Sequence, residues 1–527
     1  MTTVQKLYWL IAAGGSIIFA VLSLYSPVAL YFFIFCLLYG LIGFYDLYHS
    51  PHTLNRLYPV LAYLRYFSEH IRPGIQQYFV ADNLEERPFD REERDLIYRR
   101  AKGVRDTLAF GTERDILDTG YIHIQHSIKP LYLSENNVRV NIGGPDCRQP
   151  YSSSLLNISA MSFGALSDHA ILALNKGAAM GNFAHNTGEG GISPYHRQFK
   201  GDLIWQIGTG YFGCRDEQGN FSAERFEKKA VDPQIKMIEV KLSQGAKPAH
   251  GGLLPAAKVS AEIASIREVP IATTCHSPAA HTAFDSPEGL LRFIQQLRTL
   301  SGGKPTGFKL CIGIRSEFMS ICKAMLKTGI TPDFITIDGA EGGTGAAPVE
   351  FSNYLGTPCN EAIYFVHNCL IGCGLRNRVK IIASGKTASG FDMLIKCALG
   401  ADVVNAARSM MLALGCVQSR TCNSNECPTG IATQDKKRSK ALDVEAKSHR
   451  VLNYQKATVK SLLELVGAMG LDNPSKLQAH HLHRRIDDET TRHYDEIYTP
   501  LKPRELLNDE INPQYASDWH KADSEHF

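Results

Sequence analysis

Eight short apolar runs between Leu155 and Ser409 restrict the fold of this chain more than any other feature. They end in small or polar residues, and most are followed by a helix-like stretch: LLNISAMSFGA, NFAHNTGEGG, IWQIGTG, MIEVKLSQGA, TGFKLCIGI, FITIDGAEGGTGA, VKIIASGKTASG and DVVNAARS. Eight strand-and-helix units predict an α/β protein with a (β/α)8, TIM-like barrel, whose Gly-rich strand ends form the active-site face. A doubly wound open sheet is the alternative, because periodicity alone does not show closure.

The remaining segments suggest a division of the chain into four parts. We predict a transmembrane hairpin at residues 1–48, a juxtamembrane linking region at 49–150, the barrel with a cysteine-rich loop at 151–435, and a helical extension at 436–527. A surplus apolar run, PIATTCHSPAAHTAF, is expected in an insertion outside the eight strands. The HHLHRR stretch, with His480, His481 and His483, is predicted as a solvated helix face rather than a metal site.

The N-terminal region has no charged residue from Leu7 to Tyr45. Ser26 and Pro27 split this run into two segments of roughly 18 residues, each about 27 Å long as a helix, which is enough to cross a bilayer. Aromatic residues lie near the ends of both segments, and Lys6 and Arg56 flank the pair on one side. We therefore predict a cytoplasmic-membrane protein with its catalytic domain on the cytoplasmic side. A signal peptide and a buried core hairpin are the alternatives.

The composition agrees with a reducing compartment. The chain has 13 cysteines, an odd number without a repeating framework, which argues against a secreted disulfide scaffold. Its 56 basic and 53 acidic residues leave a net charge of +3, and no basic run is interleaved with aromatic residues. We therefore expect no nucleic-acid partner.

Three cysteines, Cys416, Cys422 and Cys427, lie in the stretch GCVQSRTCNSNECPTGIATQ with C-x5-C-x4-C spacing. Three thiolates on one short loop are typical of an iron–sulfur centre, and three ligands rather than four point to a [3Fe-4S] cluster. A zinc site would need a fourth ligand, and the nearest candidates, Cys397 and His449, are not at a usual interval. Buried thiols without a metal are the third interpretation. A cluster would make the chain a redox protein.

Two loops are candidates for binding a phosphate group. In flavin-binding barrels the loops after strands 7 and 8 hold the phosphate with backbone N–H groups, and small residues let the backbone come close. A Gly-rich loop after the preceding strand adds a third wall. The helix that begins near Ser409 reaches Cys416 within about two turns, so a cluster would lie close to a bound flavin. The candidate residues on the three loops are Gly385 and Lys386, Ala407 and Arg408, and Gly342, Gly343 and Thr344.

Several motifs together resemble the FMN-binding synthase domain of glutamate synthase. They are ISAMSFGALS, NTGEGG, IEVKLSQGAKP, GGTGAAP and the cysteine-rich stretch, and the match covers roughly residues 155–435. The resemblance implies a TIM-like barrel that holds FMN and a [3Fe-4S] cluster. It further implies an oxidoreductase acting on the CH-NH2 group of donors, which reduces 2-iminoglutarate, formed from 2-oxoglutarate and ammonia, to L-glutamate.

The resemblance also assigns residues to the flavin. Met161, Ser162 and Phe163 correspond to the segment that lies along the flavin ring, and Lys309 corresponds to the lysine at its N1/O2 edge. A cation at that edge stabilises the reduced, anionic flavin. Lys309 is therefore expected to be catalytic.

The keto-acid site of the family uses a Glu, a Lys, a Gln and an Arg. These positions fall on Glu189, Lys247, Leu253 and Arg267. Glu189 is expected to act both in catalysis and in substrate binding, and the two cations suit a dicarboxylate. Leu253 lacks the amide of the family's glutamine, and AHGG replaces a more acidic loop, so the substrate assignment is weaker than that of the cofactors.

The nitrogen source and the electron donor are the two reactants for which the sequence leaves alternatives. The chain begins MTTVQK and carries no amidotransferase motif, so we expect ammonia, free or delivered by a partner, rather than glutamine as the nitrogen source. No nucleotide-binding G-x-G-x-x-G follows a strand, and the electron donor is expected to be a ferredoxin, a reductase subunit or membrane quinone. The alternatives are a flavin and iron–sulfur oxidoreductase acting on another 2-oxo or 2-hydroxy acid, and a non-catalytic membrane-attached scaffold.

Overall fold

The computed structural model describes residues 1–134, 138–245, 247–249 and 251–527. Ala246 and His250, which belong to the predicted keto-acid loop, lie outside the described residues. The chain forms two compact units, Met1–Arg91 and Glu92–Phe527. The predicted boundaries at residues 48, 150 and 435 stay predictions.

The first unit is helical. Its numbered helices are α1 (Thr3–Trp9), α2 (Gly15–Leu22), α3 (Pro27–Tyr48), α4 (Thr53–Leu57) and α5 (Ala62–Ile75), with π-helical turns at Leu10–Gly14 and Gln76–Val80. The first turn joins α1 and α2 into one 20-residue helical run, and α3 has 22 residues. Both are long and apolar enough to cross a membrane, and most of their large apolar side chains are exposed. Pro27 opens α3 at its first turn, where a missing N–H costs nothing, so the chain turns where the sequence predicted.

The hairpin is held by close packing of α1 against α3. The Tyr8 hydroxyl donates a hydrogen bond to the carbonyl of Gly40. The Tyr8 ring covers Gly43, where a Cβ atom would lie 2.1 Å from a ring carbon. Only glycine fits at this position without moving the ring.

The second unit contains the remaining elements. Its strands are β1 (Ile122–Ile124), β2 (Val140–Ile142), β3 (Tyr151–Ser153), β4 (Leu156–Ile158), β5 (His185–Asn186), β6 (Leu203–Ile207), β7 (Ile235–Lys241), β8 (Leu253–Leu254), β9 (Cys275–His276), β10 (Thr306–Cys311), β11 (Phe334–Asp338), β12 (Lys380–Ser384), β13 (Val403–Ala406), β14 (Leu482–Arg485) and β15 (Thr491–His493). Its helices are α6 (Arg91–Lys102), α7 (Asp168–Gly181), α8 (Pro194–Arg197), α9 (Ala223–Ala230), α10 (Ala261–Arg267), α11 (Pro287–Leu300), α12 (Arg315–Thr328), α13 (Val349–Tyr354), α14 (Cys359–Gly372), α15 (Gly390–Ala398), α16 (Arg408–Leu414), α17 (Lys436–Ser439), α18 (Val444–Ala468), α19 (Tyr494–Ile497) and α20 (Pro513–Lys521).

Eight parallel strands close into a barrel in the order β4, β5, β6, β7, β10, β11, β12 and β13, and β13 pairs with β4. They are the eight runs predicted from the sequence, so the predicted barrel is confirmed. The strands are buried on both faces, because side chains fill the barrel and helices cover its outside. The surplus run falls in an insertion between β7 and β10, where β8 and β9 form an antiparallel pair.

The C-terminal extension is not wholly helical. Its long helix α18 packs on α7, but β14 and β15 pair with β1 in a separate three-stranded sheet. The predicted helix face at His480, His481 and His483 is therefore wrong. The first two histidines lie in a 3-10 turn and His483 lies in β14, because this stretch pairs with β1 instead of continuing as a helix.

Candidate functional site

The barrel interior carries a buried carboxylate that organises the strand ends. Glu239 of β7 accepts hydrogen bonds from Asn186 (2.8 Å), Gln206 (2.7 Å) and Thr336 (2.6 Å), which lie on β5, β6 and β11. Lys241, two residues further along β7, has the same inward direction and ends the strand. The carboxyl end of the barrel is therefore a polar, preorganised surface.

Glu189 lies at this end of the barrel and faces several cations. Its carboxylate is 3.0 Å from the ammonium of Lys241. Burial raises the pKa of Glu189, but Lys241, Arg267 and Lys247 together outweigh that effect and hold the pKa below its ordinary value. Lys247 and Arg267, which the resemblance assigns to the keto-acid site with Glu189, thus lie near its carboxylate, and so does Lys241.

The guanidinium of Arg267 is buried, and one of its N–H donors has no hydrogen-bond partner among the described residues. The side chain is 5% exposed, at the end of α10. One terminal nitrogen lies 3.4 Å from both the Ser162 hydroxyl and the Phe163 carbonyl, and the guanidinium carbon lies 5.1 Å from the centre of the Phe212 ring. The buried Nε has no hydrogen-bond partner among the described residues. A carboxylate is the ligand that satisfies such a donor best.

The space beside Glu189 is narrow. Lys247 donates to the carbonyl of Gly251 (2.8 Å), and a Cβ on Gly252 would lie 2.7 Å from a Glu189 oxygen. The enclosed volume is about 20 Å³, enough for one water molecule. Gly251 and Gly252 line it, and Leu253 follows them directly as the first residue of β8.

Lys309, on β10, is a second buried cation at the barrel mouth. Its ammonium lies 3.3 Å from Asp338 at the end of β11, and Asp338 also accepts the N–H of Gly245 (3.0 Å). Burial lowers the pKa of Lys309, but Asp338 and Glu239 outweigh it, so the pKa lies above its ordinary value. The lysine therefore stays positively charged at neutral pH.

The three predicted phosphate loops lie at the same end of the barrel. Ser159, after β4, and Ser384, at the end of β12, share a hydrogen bond of 2.9 Å. Arg408 donates a hydrogen bond to the Glu341 carbonyl, and one of its side-chain nitrogens lies 3.3 Å from the Cβ position of Gly343. These contacts connect the loop after β13 to the loop after β11.

Among the predicted phosphate-loop residues, Lys386 has its side chain turned to a different neighbour. Its ammonium lies 2.7 Å from a carboxylate oxygen of Glu93 on α6. The Lys386 ammonium is thus ion-paired with a carboxylate of the same unit. Gly342 and Thr344 lie on the loop after β11.

The cysteine-rich loop brings its three thiols close enough to influence one another. Burial, with smaller contributions from Cys422 and Cys427, raises the pKa of Cys416 to about 11, although the Gln418 N–H opposes the shift. Burial also opposes ionisation of Cys427, but hydrogen bonds from the backbone of Ala432 and from Thr429 outweigh it and lower the pKa of this thiol. The N–H of Gln418 donates to the Cys416 sulfur (3.4 Å). Donors of this kind stabilise thiolates, as an iron–sulfur centre requires.

No three His, Cys, Asp or Glu side chains converge on a single metal ion in the described part of the chain. A multi-iron cluster sets a different requirement, since each cysteine binds its own iron and the sulfur atoms stand further apart. The three cysteines stay the predicted ligands of a cluster.

Lys258 holds the backbone of the cysteine-rich loop, and this role was not predicted from the sequence. It is 4% exposed, and its ammonium donates to the carbonyls of Cys422 (2.8 Å) and Ala432 (3.1 Å). Burial lowers its pKa. A buried lysine in the AAKV stretch carries no local signal, because only the fold shows which carbonyls it meets.

The cysteine-rich loop is tied to the segment that contains Met161, Ser162 and Phe163. Ser167 donates to the Gly430 carbonyl (2.7 Å), and the Gln434 amide donates to the carbonyls of Leu166 (2.8 Å) and Gly164 (3.1 Å). Gly345, on the loop after β11, also closes on the cysteine-rich loop, since its Cβ would lie 3.0 Å from the Cys422 carbonyl oxygen. The predicted flavin segment and the predicted cluster loop are therefore direct neighbours.

Lys241 is the other residue that sequence reasoning missed. It lay inside the quoted motif IEVKLSQGAKP, where two charged residues, Glu239 and Lys241, alternate on a strand that is otherwise mostly apolar. That alternation places both on the inner face of the barrel. This alternation is the sequence pattern from which Lys241 could have been predicted as a site residue.

The closed barrel, with buried cations at its carboxyl end, defines an α/β-barrel protein of the kind that carries its site at this end. Residues 121–472 match the family described as the conserved region in glutamate synthase. The chain therefore belongs to the glutamate synthase family, and it is a glutamate synthase-like oxidoreductase.

Relatives agree with this assignment. The chain is 38% identical over 489 residues to the glutamate synthase large subunit-like protein YerD of Bacillus subtilis, covering 85% of this chain and 93% of that protein. It is 35% identical to the archaeal-type glutamate synthase [NADPH] of Thermotoga neapolitana, over 60% of this chain and 59% of that protein. The archaeal glutamate synthase [NADPH] of Methanocaldococcus jannaschii is also 35% identical, over 61% and 60%. The chain thus spans about three fifths of these two synthases.

Among solved structures, a mandelate oxidase has a TM-score of 0.39 at 13% identity, covering 76% of this chain and 91% of that one. This likeness is too distant to bear on activity.

Proposed function

We propose that this protein is an FMN- and [3Fe-4S]-dependent oxidoreductase that reduces 2-iminoglutarate, formed from 2-oxoglutarate and ammonia, to L-glutamate. The observation that supports it most is the buried cation set around Glu189, with an Nε of Arg267 that has no hydrogen-bond partner among the described residues. A dicarboxylate brings the charges that such a set can bind.

The negative charge of Glu189 would stabilise a protonated imine nitrogen. With a pKa held below its ordinary value, Glu189 is an anion at neutral pH. An imine is reduced most readily when its nitrogen is protonated, and a fixed carboxylate nearby stabilises that positive charge. Lys247 and Arg267 would hold the substrate carboxylates, while Lys241 keeps Glu189 in place.

Lys309 and the segment from Met161 to Phe163 would face the flavin. FMN, when bound, would supply hydride to the substrate carbon, and the iron–sulfur centre would supply the electrons that reduce the oxidised flavin again. The positive charge of Lys309 would stabilise the anionic reduced form. The backbone of the loops with Gly385 and Ala407 would hold the phosphate, with Gly342, Gly343, Thr344, Lys386 and Arg408 around it.

The substrate assignment is tested on the purified holoprotein, reduced with dithionite without oxygen. Adding 2-oxoglutarate and ammonium is expected to reoxidise the flavin and to form one L-glutamate for each two electrons consumed. Pyruvate, oxaloacetate and glyoxylate with ammonium, and 2-oxoglutarate alone, are the comparisons. A flavin that stays reduced with 2-oxoglutarate and ammonium but is reoxidised by another acid would assign that acid instead.

Leu253→Gln is expected to improve 2-oxoglutarate binding. It returns an amide to the position where the family carries one, and one hydrogen bond is worth roughly 0.5–1.5 kcal/mol. The KM for 2-oxoglutarate should then fall about two- to twelvefold. Leu253→Met, which keeps the volume without an amide, is the control. If the glutamine variant loses activity but keeps its flavin, the native acid is less polar.

We also propose that residues 1–48 insert in a membrane as a hairpin with both ends on the cytoplasmic side. The two long apolar helices with outward-facing side chains support this proposal. An exposed apolar surface of that size is unfavourable in water.

The full chain is expected in the membrane fraction and to stay there through an alkaline carbonate wash, which removes peripherally bound proteins. The chain without residues 1–48 should be soluble and yellow with flavin. Recovery of the full chain in the soluble fraction without detergent would rule out the hairpin proposal.

A further inference from the structure

The positive charge of this chain is concentrated beside the cysteine-rich loop. Residues 416–440 contain five basic residues and two acidic ones, a surplus equal to the +3 of the whole chain. The stretch Lys436-Lys437-Arg438-Ser439-Lys440 follows the loop directly, and Arg420 lies within it. Arg420, Lys437 and Lys440 are exposed.

Contacts place these basic residues against the loop. Arg438 donates to the Glu426 carbonyl (3.3 Å), and a Cβ on Gly430 would lie 2.3 Å from the Arg438 carbonyl oxygen. At the other end of the loop, a Cβ on Gly415 would lie 2.9 Å from the Lys447 ammonium and 3.7 Å from an Arg450 nitrogen. Cations therefore stand on both sides of the three cysteines.

We call Arg420, Lys437, Lys440, Lys447 and Arg450 the basic rim. None of the five forms an ion pair with another residue in the part of the chain that the structure describes. Most nearby acids have other partners: Asp435 faces Arg438 (3.6 Å), and Glu445 pairs with Lys176 and His449. Asp443 caps α18 and offsets part of the charge of Lys447, and Glu426 is the acid of the loop itself. The cations outnumber these acids, so they repel one another, and a docked anionic surface relieves that repulsion.

The loop inside the basic rim reaches the surface. Cys416 and Cys422 are half-buried, and Ser419, Thr421 and Asn423 around them are exposed. A redox centre held by these thiols would thus be open to a macromolecule. A small apolar electron carrier would need an apolar groove instead, and the side chains that surround this opening are polar.

We propose that the basic rim is the docking surface for a small electron-carrier protein with an acidic face. This inference rests on the proposed function, because it needs an iron–sulfur centre at the three cysteines. Each docking event would pass one electron from the reduced carrier to that centre. Two events, with two protons from solvent, balance the reduction of one C=N bond to CH–NH.

The test uses the full chain in nanodiscs of neutral lipid and a reduced plant-type [2Fe–2S] ferredoxin as the acidic probe. The variant Lys437→Glu/Lys440→Glu/Arg450→Glu reverses three charges of the rim and leaves the cysteine-rich loop unchanged. The control Lys200→Glu/Lys228→Glu/Lys521→Glu makes the same charge change at exposed lysines elsewhere on the second unit.

The rim variant is expected to be reduced by ferredoxin at least tenfold more slowly at low salt, with a weaker salt dependence, while the control variant keeps the native rate. Iron and flavin content, and turnover of the dithionite-reduced protein, should be native in both. An equal loss in both variants, or no loss in either, overturns the proposal.

Two further outcomes separate this inference from others. If the rim variant keeps its ferredoxin rate but loses binding of the full chain to anionic vesicles, the surface serves a membrane and the carrier proposal is wrong. If the dithionite-reduced native protein fails to turn over any acid, the proposed function fails, whereas the ferredoxin rates still test the docking surface.

Discussion

Replacing Cys422 by serine is expected to remove the iron from the protein and leave the flavin in place. A serine hydroxyl is a poor ligand for iron compared with a thiolate, and the proposed cluster has no fourth cysteine on the loop to take its place. The loop itself should keep its position, because Lys258 binds the Cys422 carbonyl rather than its side chain. Iron analysis, visible absorbance and electron paramagnetic resonance of the purified variant measure the effect.

Cys147→Ser is the matched control for this substitution. Cys147 is also half-buried, and its thiol lies 3.4 Å from the Gly303 carbonyl, outside the cysteine-rich loop. The control should keep both iron and flavin. Native iron content in the Cys422 variant would refute the cluster, and loss of flavin together with iron would show that the two loops depend on each other for folding.

The barrel could be predicted from the sequence because its signal is local. Each run carries aliphatic residues that are buried on both faces of the strand, and each ends in small residues where the backbone turns into the active-site loops. Closure needed the structure, since the β13–β4 pairing joins residues about 250 positions apart.

The site was predictable only where a motif carried it. The positions of Glu189, Lys247 and Arg267 came from a family pattern, and the structure shows that two loops and the end of α10 carry them to one place, where both cations lower the pKa of Glu189. Lys258 was missed because a single lysine in an apolar stretch does not reveal its partner, whereas Lys241 could have been found from its alternation with Glu239. The histidine-rich segment was predicted wrongly because its strand state depends on β1, about 360 residues earlier.

The narrow volume beside Glu189 adds an observation that the motifs did not contain. Its size is about 20 Å³, room for one water molecule. Lys247, a predicted substrate ligand, donates its ammonium to the Gly251 carbonyl (2.8 Å). A carboxylate that binds Lys247 would therefore compete with this carbonyl for the lysine.

Arg267→Met is expected to weaken keto-acid binding by about 2–5 kcal/mol, which raises the KM about 30-fold to 4,000-fold. The reason is that the substrate carboxylate would be buried without its partner, and that the Nε donor available in the native protein would be gone. The side chain also stacks on Phe212, so methionine is chosen to keep the apolar contact. Steady-state kinetics with 2-oxoglutarate and ammonium measure the change, with flavin content and thermal unfolding as checks on folding.

Arg267→Lys separates charge from geometry. Lysine keeps the positive charge beside Glu189 but lacks the planar fork that binds a carboxylate through two nitrogens, so we expect a loss intermediate between the native protein and the methionine variant. Lys228→Met, an exposed lysine of α9, should leave the KM unchanged. If Arg267→Met has the native KM and a reduced kcat, the guanidinium does not bind the acid, and its contact with Ser162 would instead position the flavin segment.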